Sequence, residues 1–376
     1  MDLSLSDEEK QIRRAARELA EEHFAENAAQ WQGEYPAENA AVLADHGYLG
    51  MSLPSEYGGM DASYFETVMA MEGIGSVCPD TAALLVTTNT GNLQIIAKFA
   101  EEQFKEQYLP PVCNGEPAPK VAMSEPEVGS SVRDLSTEAE DDGDAYIVNG
   151  RKAWVSGALK APAFVTYVRF PDGNIGSMLI DRDTPGVTVQ EPDINMYGGE
   201  QCQIFYEDAR VSKDRVLVSG RDGFKRAITT YNANRVFGMA RGWVYAKWLF
   251  EEALEYAQQR EQGGNPIIEY QAVSHRLADM AIKLETSRWL IYRALSGEEL
   301  PGRALSCMTK AYASQTNHEV ADAALQIKGA TGYVGDTPEA YAYQRLRGSQ
   351  IAGGTPDIHR NNVMKALLKD GYPEVE

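Results

Sequence analysis

Apolar positions along the chain change their period twice. Behind a Ser6–Glu9 pair with capping-box spacing, Ile12, Ala15, Ala16, Leu19, Ala20 and Phe24 recur at steps of three and four, which predicts a helix with one apolar face. The stretches ENAAVLADHGYLGM and TAALLVTTNTGNLQIIAKFA continue in a helical manner, and EEQFKEQYLPPVCNGE closes the block on Pro and Gly breakers near Pro117. The period then shortens. AYIVNGRKAWV reads as two strands joined at Asn149-Gly150, the strongest short hairpin signal. APAFVTYVRFPDGNIGSMLIDRDTPGVTVQ repeats the pattern, with turns at Pro171-Asp172-Gly173-Asn174 and Asp183-Thr184-Pro185-Gly186. After about residue 218 the helical period returns. One long helix ends at Gly263-Gly264-Asn265-Pro266, EYQAVSHRLADMAIKLETSRWLIYRAL and PGRALSCMTKAYASQTNHEVADAALQIKG supply two more, and the tail supplies a fourth. Four long helices with short connections predict an up-down bundle. The expected class is therefore α+β: an N-terminal helical domain over residues 1–118, a middle antiparallel β domain over 119–218 and a C-terminal four-helix bundle over 219–376.

Composition narrows the function more than the fold. A length of 376 residues, 43% of them hydrophobic, suffices for two or three packing units. A formal charge of −20 would repel phosphates, so no nucleic-acid partner is expected. The four cysteines (Cys78, Cys113, Cys202 and Cys307) form no C-x-x-C pair and no cluster with histidine, so neither a zinc site nor a disulfide framework is expected. The start, MDLSLSDEEKQIRR, is too polar for a signal peptide, and no apolar run is long enough to span a bilayer. The expectation is a cytoplasmic protein without a membrane anchor.

The chemistry is carried by five stretches in a fixed order: AMSEPEVGSSV before the β block, AWVSG within it, QQREQGGNPIIEYQ between two bundle helices, LQIKGATGY, and finally QIAGGTPDIHR. The last has two adjacent glycines and then a helix start, a backbone suited to close approach by a ligand. This ordered set resembles the acyl-CoA dehydrogenase superfamily of flavoproteins over nearly the whole chain. The resemblance implies FAD as cofactor and an acyl thioester, on coenzyme A or a carrier protein, as substrate. Met123 and Ser124 would then face the flavin ring, while Gly129 and Ser130 would approach the pyrophosphate or the thioester cofactor. Trp154 would pack on the flavin and Ser156 would bond its N5 edge. Arg260 and Gln271 would reach the adenylate half, usually across a subunit interface, which implies a homotetramer or dimer. Gln326, Gly329 and Ala330 would lie along the same dinucleotide, with Thr355 and Asp357 at a helix start suited to an anionic cofactor. YNANR resembles the segment that contacts the pantetheine, through Asn232 and Arg235.

The departures from the family pattern are specific. The aromatic expected after Arg260 is Gly263, the arginine after the Gly-rich stretch is Gln344, and the aspartate of the pantetheine segment is Asn232. The catalytic glutamate expected before the Gly354-Thr355 pair is Gly353, whose N–H can still donate to a substrate carbonyl. The alternative base position, before Arg235, is Asn234, an amide and not a base. General-base catalysis is worth about 10²–10⁴ in rate. Three readings stay open: a dehydrogenase passing electrons to an electron-transfer flavoprotein with its proton acceptor elsewhere (Glu200, a tyrosine, His275 or His359), an oxidase or monooxygenase using O₂, or a silent FAD-binding partner subunit. The expected activity is a specialised or biosynthetic oxidation between the α and β carbons, with no metal.

Overall fold

The computed structural model describes residues 4–28, 30–31, 34–297, 302–335 and 337–372; Pro301, at the start of one expected helix, lies outside them. Among the described residues seven α-helices come first: α1 (Asp7–His23), α2 (Ala37–Asp45), α3 (Tyr64–Gly75), α4 (Pro79–Ala82), α5 (Leu84–Asn89), α6 (Asn92–Phe99) and α7 (Glu102–Cys113). The Ser6 hydroxyl accepts from the Glu9 N–H at 3.1 Å while the Glu9 carboxylate accepts from the Ser6 N–H at 2.6 Å, so α1 starts at the expected capping box. Ala16, Ala20 and Phe24 are fully buried, whereas Ala15 faces solvent. A second capping box, Ser63 with Glu66, opens α3, which the apolar period did not single out because the helix is buried almost all round. The helical stretch expected over TAALLVTTNTGNLQIIAKFA is broken into three helices, the last break falling at Thr90-Gly91.

Nine strands follow: β1 (Lys120–Ala122), β2 (Glu138–Asp142), β3 (Ala145–Val155), β4 (Ala163–Arg169), β5 (Ile175–Asp181), β6 (Val187–Val189), β7 (Asp193–Ile194), β8 (Glu200–Ser212) and β9 (Val216–Val218). They form one sheet in the order β6-β8-β3-β2-β4-β5-β9, with β1 on β4 and β7 on β8. Pairing is antiparallel except for β1 with β4 and one bridge between β2 and β4. The turn at Pro171–Asn174 joins β4 to β5 as expected, with Arg169 opposite Ile175. Asn149-Gly150 does not turn. The chain runs straight through it as β3, with a register shift against β8 between Val148 and Gly150. Gly150 sits at φ 141 with its α carbon packed on Thr137, where a Cβ would come within 2.7 Å of backbone, and the Asn149 side chain bonds Asp208 across the strands. The dipeptide therefore makes a bulge, and the tight turn lies earlier, between the paired residues Asp142 and Ala145.

The rest is helical: α8 (Gly223–Gln259), a two-residue hairpin β10 (Glu261–Gln262) and β11 (Asn265–Pro266), α9 (Gln271–Leu295), α10 (Arg303–Lys328), α11 (Pro338–Gly348) and α12 (Pro356–Asp370). The tail thus adds the short helix α11 before the loop that precedes α12. An α+β organisation with helical, β and helical segments in that order is what the period changes indicated.

The chain divides into two compact units, one of Met1–Asn39, Ser63–Val86 and Arg235–Glu376, the other of Ala40–Ala62 and Thr87–Asn234. In the first, α1 packs on α3, and α9, α11 and α12 all pack on α10. In the second, Leu93, Ile96, Phe104, Leu109 and Val112 from α6 and α7 share a core with Val165, Tyr167 and Leu179 of the sheet. The opposite side chains of the strands, among them Val148, Phe164, Val168, Met178, Ile204 and Tyr206, make a separate core. This alternation is the period of two made physical.

Candidate functional site

In the unit that contains the sheet, a buried ion pair organises the residues read as flavin-facing. Glu125 and Lys152 meet at 2.9 Å with their side chains out of solvent. The Glu125 carboxylate also accepts the N–H and hydroxyl of Ser136, each at 2.7 Å, and those of Thr137 at 2.9 and 2.6 Å. Burial alone would raise its pKa, but the bonds from Thr137, Lys152 and Ser136 outweigh burial and hold it well below the usual range. Lys152 also donates to the Met123 carbonyl at 3.3 Å, and the Ala153 N–H donates to the Ser124 carbonyl at 2.9 Å. Met123 and Ser124 are thereby fixed against β3. The next residue, Trp154, lies at φ 62 in the left-handed region, at a register shift of β3 on β8, and its side chain is 59% exposed. A bulky non-glycine residue in that region is strained, and such strain concentrates where a side chain is being aimed. Ser156, two residues on, accepts from the Gln201 side chain at 2.8 Å. Gly129 and Ser130 are exposed, with nothing within 4 Å of a Cβ on Gly129. Asn232 is buried, and the Asn234 side-chain oxygen accepts from the Thr90 hydroxyl at 3.0 Å, so Asn234 ties the break before α6. Glu200 is half-buried at the start of β8.

The other unit holds the remaining residues. Arg260 follows α8 and is exposed, and the β10–β11 hairpin after it turns at Gly263-Gly264. Where the family pattern has an aromatic, a Cβ on Gly263 would lie 2.6 Å from the Tyr270 hydroxyl, which donates to the Gln262 carbonyl at 2.7 Å. Gln271 begins α9, and Gln326 lies on the exposed side of α10 near its end. Gly329 and Ala330 follow α10, both exposed, with open space around Gly329. Gln344 lies in α11 and Arg235 in α8, both half-buried. Thr355 caps α12, its hydroxyl accepting from the Ile358 N–H at 3.3 Å, while the Asp357 carboxylate turns to Arg360 at 2.8 Å. His275 is exposed on α9.

The loop between α11 and α12 is held from below. Gly353 and Gly354 lie at φ 72 and 97. A Cβ on Gly353 would meet nothing within 4 Å, but one on Gly354 would come 2.7 Å from His359 Nε2. His359 is 1% exposed, with Nε2 3.0 Å from the Gly353 carbonyl and Nδ1 3.4 Å from Cys307 Sγ. A carbonyl only accepts, so Nε2 carries the proton and Nδ1 takes the weak thiol donor. Burial, helped by the Arg235 charge, lowers the imidazole pKa to about 4, so His359 is neutral near pH 7. Its polar atoms are therefore committed to the fold. Lys310, 3% exposed, donates to the Ser349 carbonyl at the end of α11.

Three family models cover the chain in order: the acyl-CoA dehydrogenase N-terminal domain over residues 6–116, the middle domain over 120–209 and the C-terminal domain over 221–368. A 3-sulfinopropanoyl-CoA desulfinase of Paraburkholderia xenovorans is 35% identical, the alignment covering 97% of each chain. The chain belongs to the acyl-CoA dehydrogenase superfamily. The human mitochondrial short-chain specific acyl-CoA dehydrogenase is 30% identical over 98% of this chain and 92% of its own. The butyryl-CoA dehydrogenase structure from Megasphaera elsdenii superposes with a TM-score of 0.88 at 25% identity, over 98% of this chain and 100% of the other.

Each unit of this superfamily member, taken by itself, carries residues of the kind that a flavin dinucleotide needs. An exposed, strained indole beside fixed backbone at Met123-Ser124 suits a planar ring. Open space at Gly129 and Gly329, cationic and amide donors at Arg260, Gln271 and Gln326, and the N-terminus of α12 suit a pyrophosphate and its sugars. Sequence reasoning missed Lys152, Glu125, Tyr270, Lys310 and the polar commitments of His359. The sequence did hold one signal for the first pair: Lys152 is a lysine at an inward-facing strand position, which demands a buried partner.

Proposed function

We propose that the chain is an FAD-dependent oxidoreductase of acyl thioesters whose active-site loop is specialised by the absence of a carboxylate. When bound, the flavin supplies the two-electron acceptor for a hydride from the β carbon. Met123, Ser124, Trp154 and Ser156 would hold and orient its ring. Gly129, Ser130, Arg260, Gln271, Gln326, Gly329, Ala330 and Thr355 would hold the dinucleotide, with Tyr270 standing in for the aromatic absent at Gly263. Asp357 would strengthen the start of α12. Asn232 and Arg235 would meet the pantetheine, and the Gly353 N–H would polarise the thioester carbonyl. Domain limits at 118 and 218 accord with the three matched segments. Arg260 and Gln271, exposed as they are, support a dimer or tetramer in which a neighbour shares the cofactor. Four buried free thiols support a cytoplasmic location. Among the described residues no helix is long and apolar enough to cross a membrane.

The observation that carries the specialisation is Gly353: exposed, without a side chain, its N–H bonded to no acceptor among the described residues. An α proton then lacks the base that an ordinary dehydrogenation needs. A second reading draws on the same glycine and on four relatives 32–35% identical that are named 3-sulfinopropanoyl-CoA desulfinases. Cleaving the bond from carbon 3 to a sulfinate sulfur with water gives the saturated acyl thioester and hydrogen sulfite. That reaction is not a net oxidation and needs no α-proton acceptor in its balance. The test is to purify the protein, confirm flavin by its absorbance, and offer butanoyl-CoA with an artificial electron acceptor, with and without O₂, and separately 3-sulfinopropanoyl-CoA. Enoyl thioester in the first assay supports the oxidoreductase, and sulfite in the second supports the alternative. Absence of flavin, even after FAD is added, would sink both.

A further inference from the structure

The loop that lacks its carboxylate has an anchoring system that no sequence motif announced. We propose that Lys310 and His359 are positioning residues, a two-point clamp that fixes residues 349–353 so that the Gly353 N–H is presented to the thioester carbonyl; this rests on the thioester reading above. Two glycines in succession at positive φ give this turn more backbone freedom than any other pair of residues could, and no side chain at Gly353 packs to restrain it. The restraint comes from the carbonyls. Lys310 holds that of Ser349 and His359 that of Gly353, the two ends of the turn. Both anchors trace to α10, because Cys307, which steadies the far nitrogen of His359, lies three residues before Lys310 and so on the same helix face. Neither side chain has an alternative use. Both are almost fully buried, and the only side-chain hydrogen bond of Lys310 among the described residues is the one to Ser349. The imidazole also fills the volume beneath Gly354, so any β carbon there would displace it. Neither Gly353 nor Gly354 gives its N–H to an acceptor among the described residues. The clamp thus occupies the carbonyls of Ser349 and Gly353 and leaves the two glycine N–H groups without an acceptor among the described residues, as an oxyanion site requires.

The test needs no turnover. Acetoacetyl-CoA has a doubly activated α proton that ionises without a protein base, and its enolate is followed by absorbance as pH is varied. Bound to the flavin-loaded wild type, it should become more acidic than in solution. His359→Ala should lose about tenfold of that acidification while binding of propanoyl-CoA changes little, and His359→Gln, which still carries an N–H, should recover most of it. Lys310→Met should lose part. Flavin content and Tm serve as folding controls. If His359→Ala does not fold, His359→Phe fills the space without donating and asks the same question. Unchanged acidity in the non-donating variants would overturn the clamp and leave the thioester reading standing. Failure of the wild type to bind acetoacetyl-CoA at all would overturn the thioester reading and the clamp with it.

Discussion

At the scale of single residues, the loop glycine and the buried lysine make opposite demands on a mutation. Gly353 has free space for a side chain, but at φ 72 any L residue is strained by about 1–3 kcal/mol. Gly353→Glu should therefore fold, somewhat destabilised, and give or raise α,β-dehydrogenation of simple acyl-CoA thioesters. It should depress the native reaction by placing a charged side chain in the open space beside the Gly353 N–H. Product analysis of the variant decides this, and a native activity left unchanged would move the active site away from this loop. Lys152 has no free space and one indispensable charge. Lys152→Met strands the Glu125 carboxylate in the core, a defect worth about 3–5 kcal/mol. Urea unfolding should show that loss, together with weaker flavin retention, because the Met123 carbonyl loses its donor. Glu125→Gln in the same chain should restore much of the stability. If Lys152→Met is as stable as the wild type, the pair does not organise this loop.

At the scale of elements, the α11–loop–α12 unit carries a pH signature with a definite sign. Unfolded, an imidazole takes its proton near pH 6.5, while folded His359 refuses it until about pH 4. Stability is therefore complete above the unfolded value and falls as pH drops from about 6.5 towards 4, by up to roughly 3 kcal/mol, then levels off. His359→Gln should flatten that part of the stability curve relative to wild type, as measured by denaturant titration at several pH values. A difference that does not change across this window would mean that the imidazole is not buried neutral. Elements also show what the sequence discloses. Helix α1 was legible because its cap and its apolar face are local, and the Pro171–Asn174 turn because turn chemistry is local. Asn149-Gly150 misled for a tertiary reason: Thr137, just before β2, presses on Gly150, and the chain bulges there without reversing. Helix α3, buried on nearly every side, has no amphipathic period to find. The stretches proposed to face the flavin were visible through family resemblance, yet the left-handed Trp154 was not, since bulge strain depends on the neighbouring strand. The contact between His359 and Cys307 spans 52 residues, and that between Lys310 and Ser349 spans 39; only folding joins them.

At the scale of the molecule, charge and apolar surface pull in different directions. Ile282 and Trp289, two helical turns apart on α9, are exposed, and so are Met364 and Leu368, one turn apart on α12. In the proposed oligomer a second copy of the chain would cover these side chains. Yet each chain carries a formal −20, so two copies repel. Raising the salt from about 10 mM to 150 mM shortens the Debye length from about 30 Å to 8 Å and screens that repulsion, while apolar burial is little affected. Association should therefore tighten with salt, the reverse of an interface held by ion pairs. Light scattering across a salt series should show larger assemblies as salt rises. Ile282→Glu should shift the population to smaller species and, where a neighbour completes the cofactor site through Arg260 and Gln271, release flavin in step. A chain that stays monomeric at every salt concentration with its flavin fully bound would remove the neighbour from the cofactor site, and leave Arg260 and Gln271 to act within their own subunit or not at all.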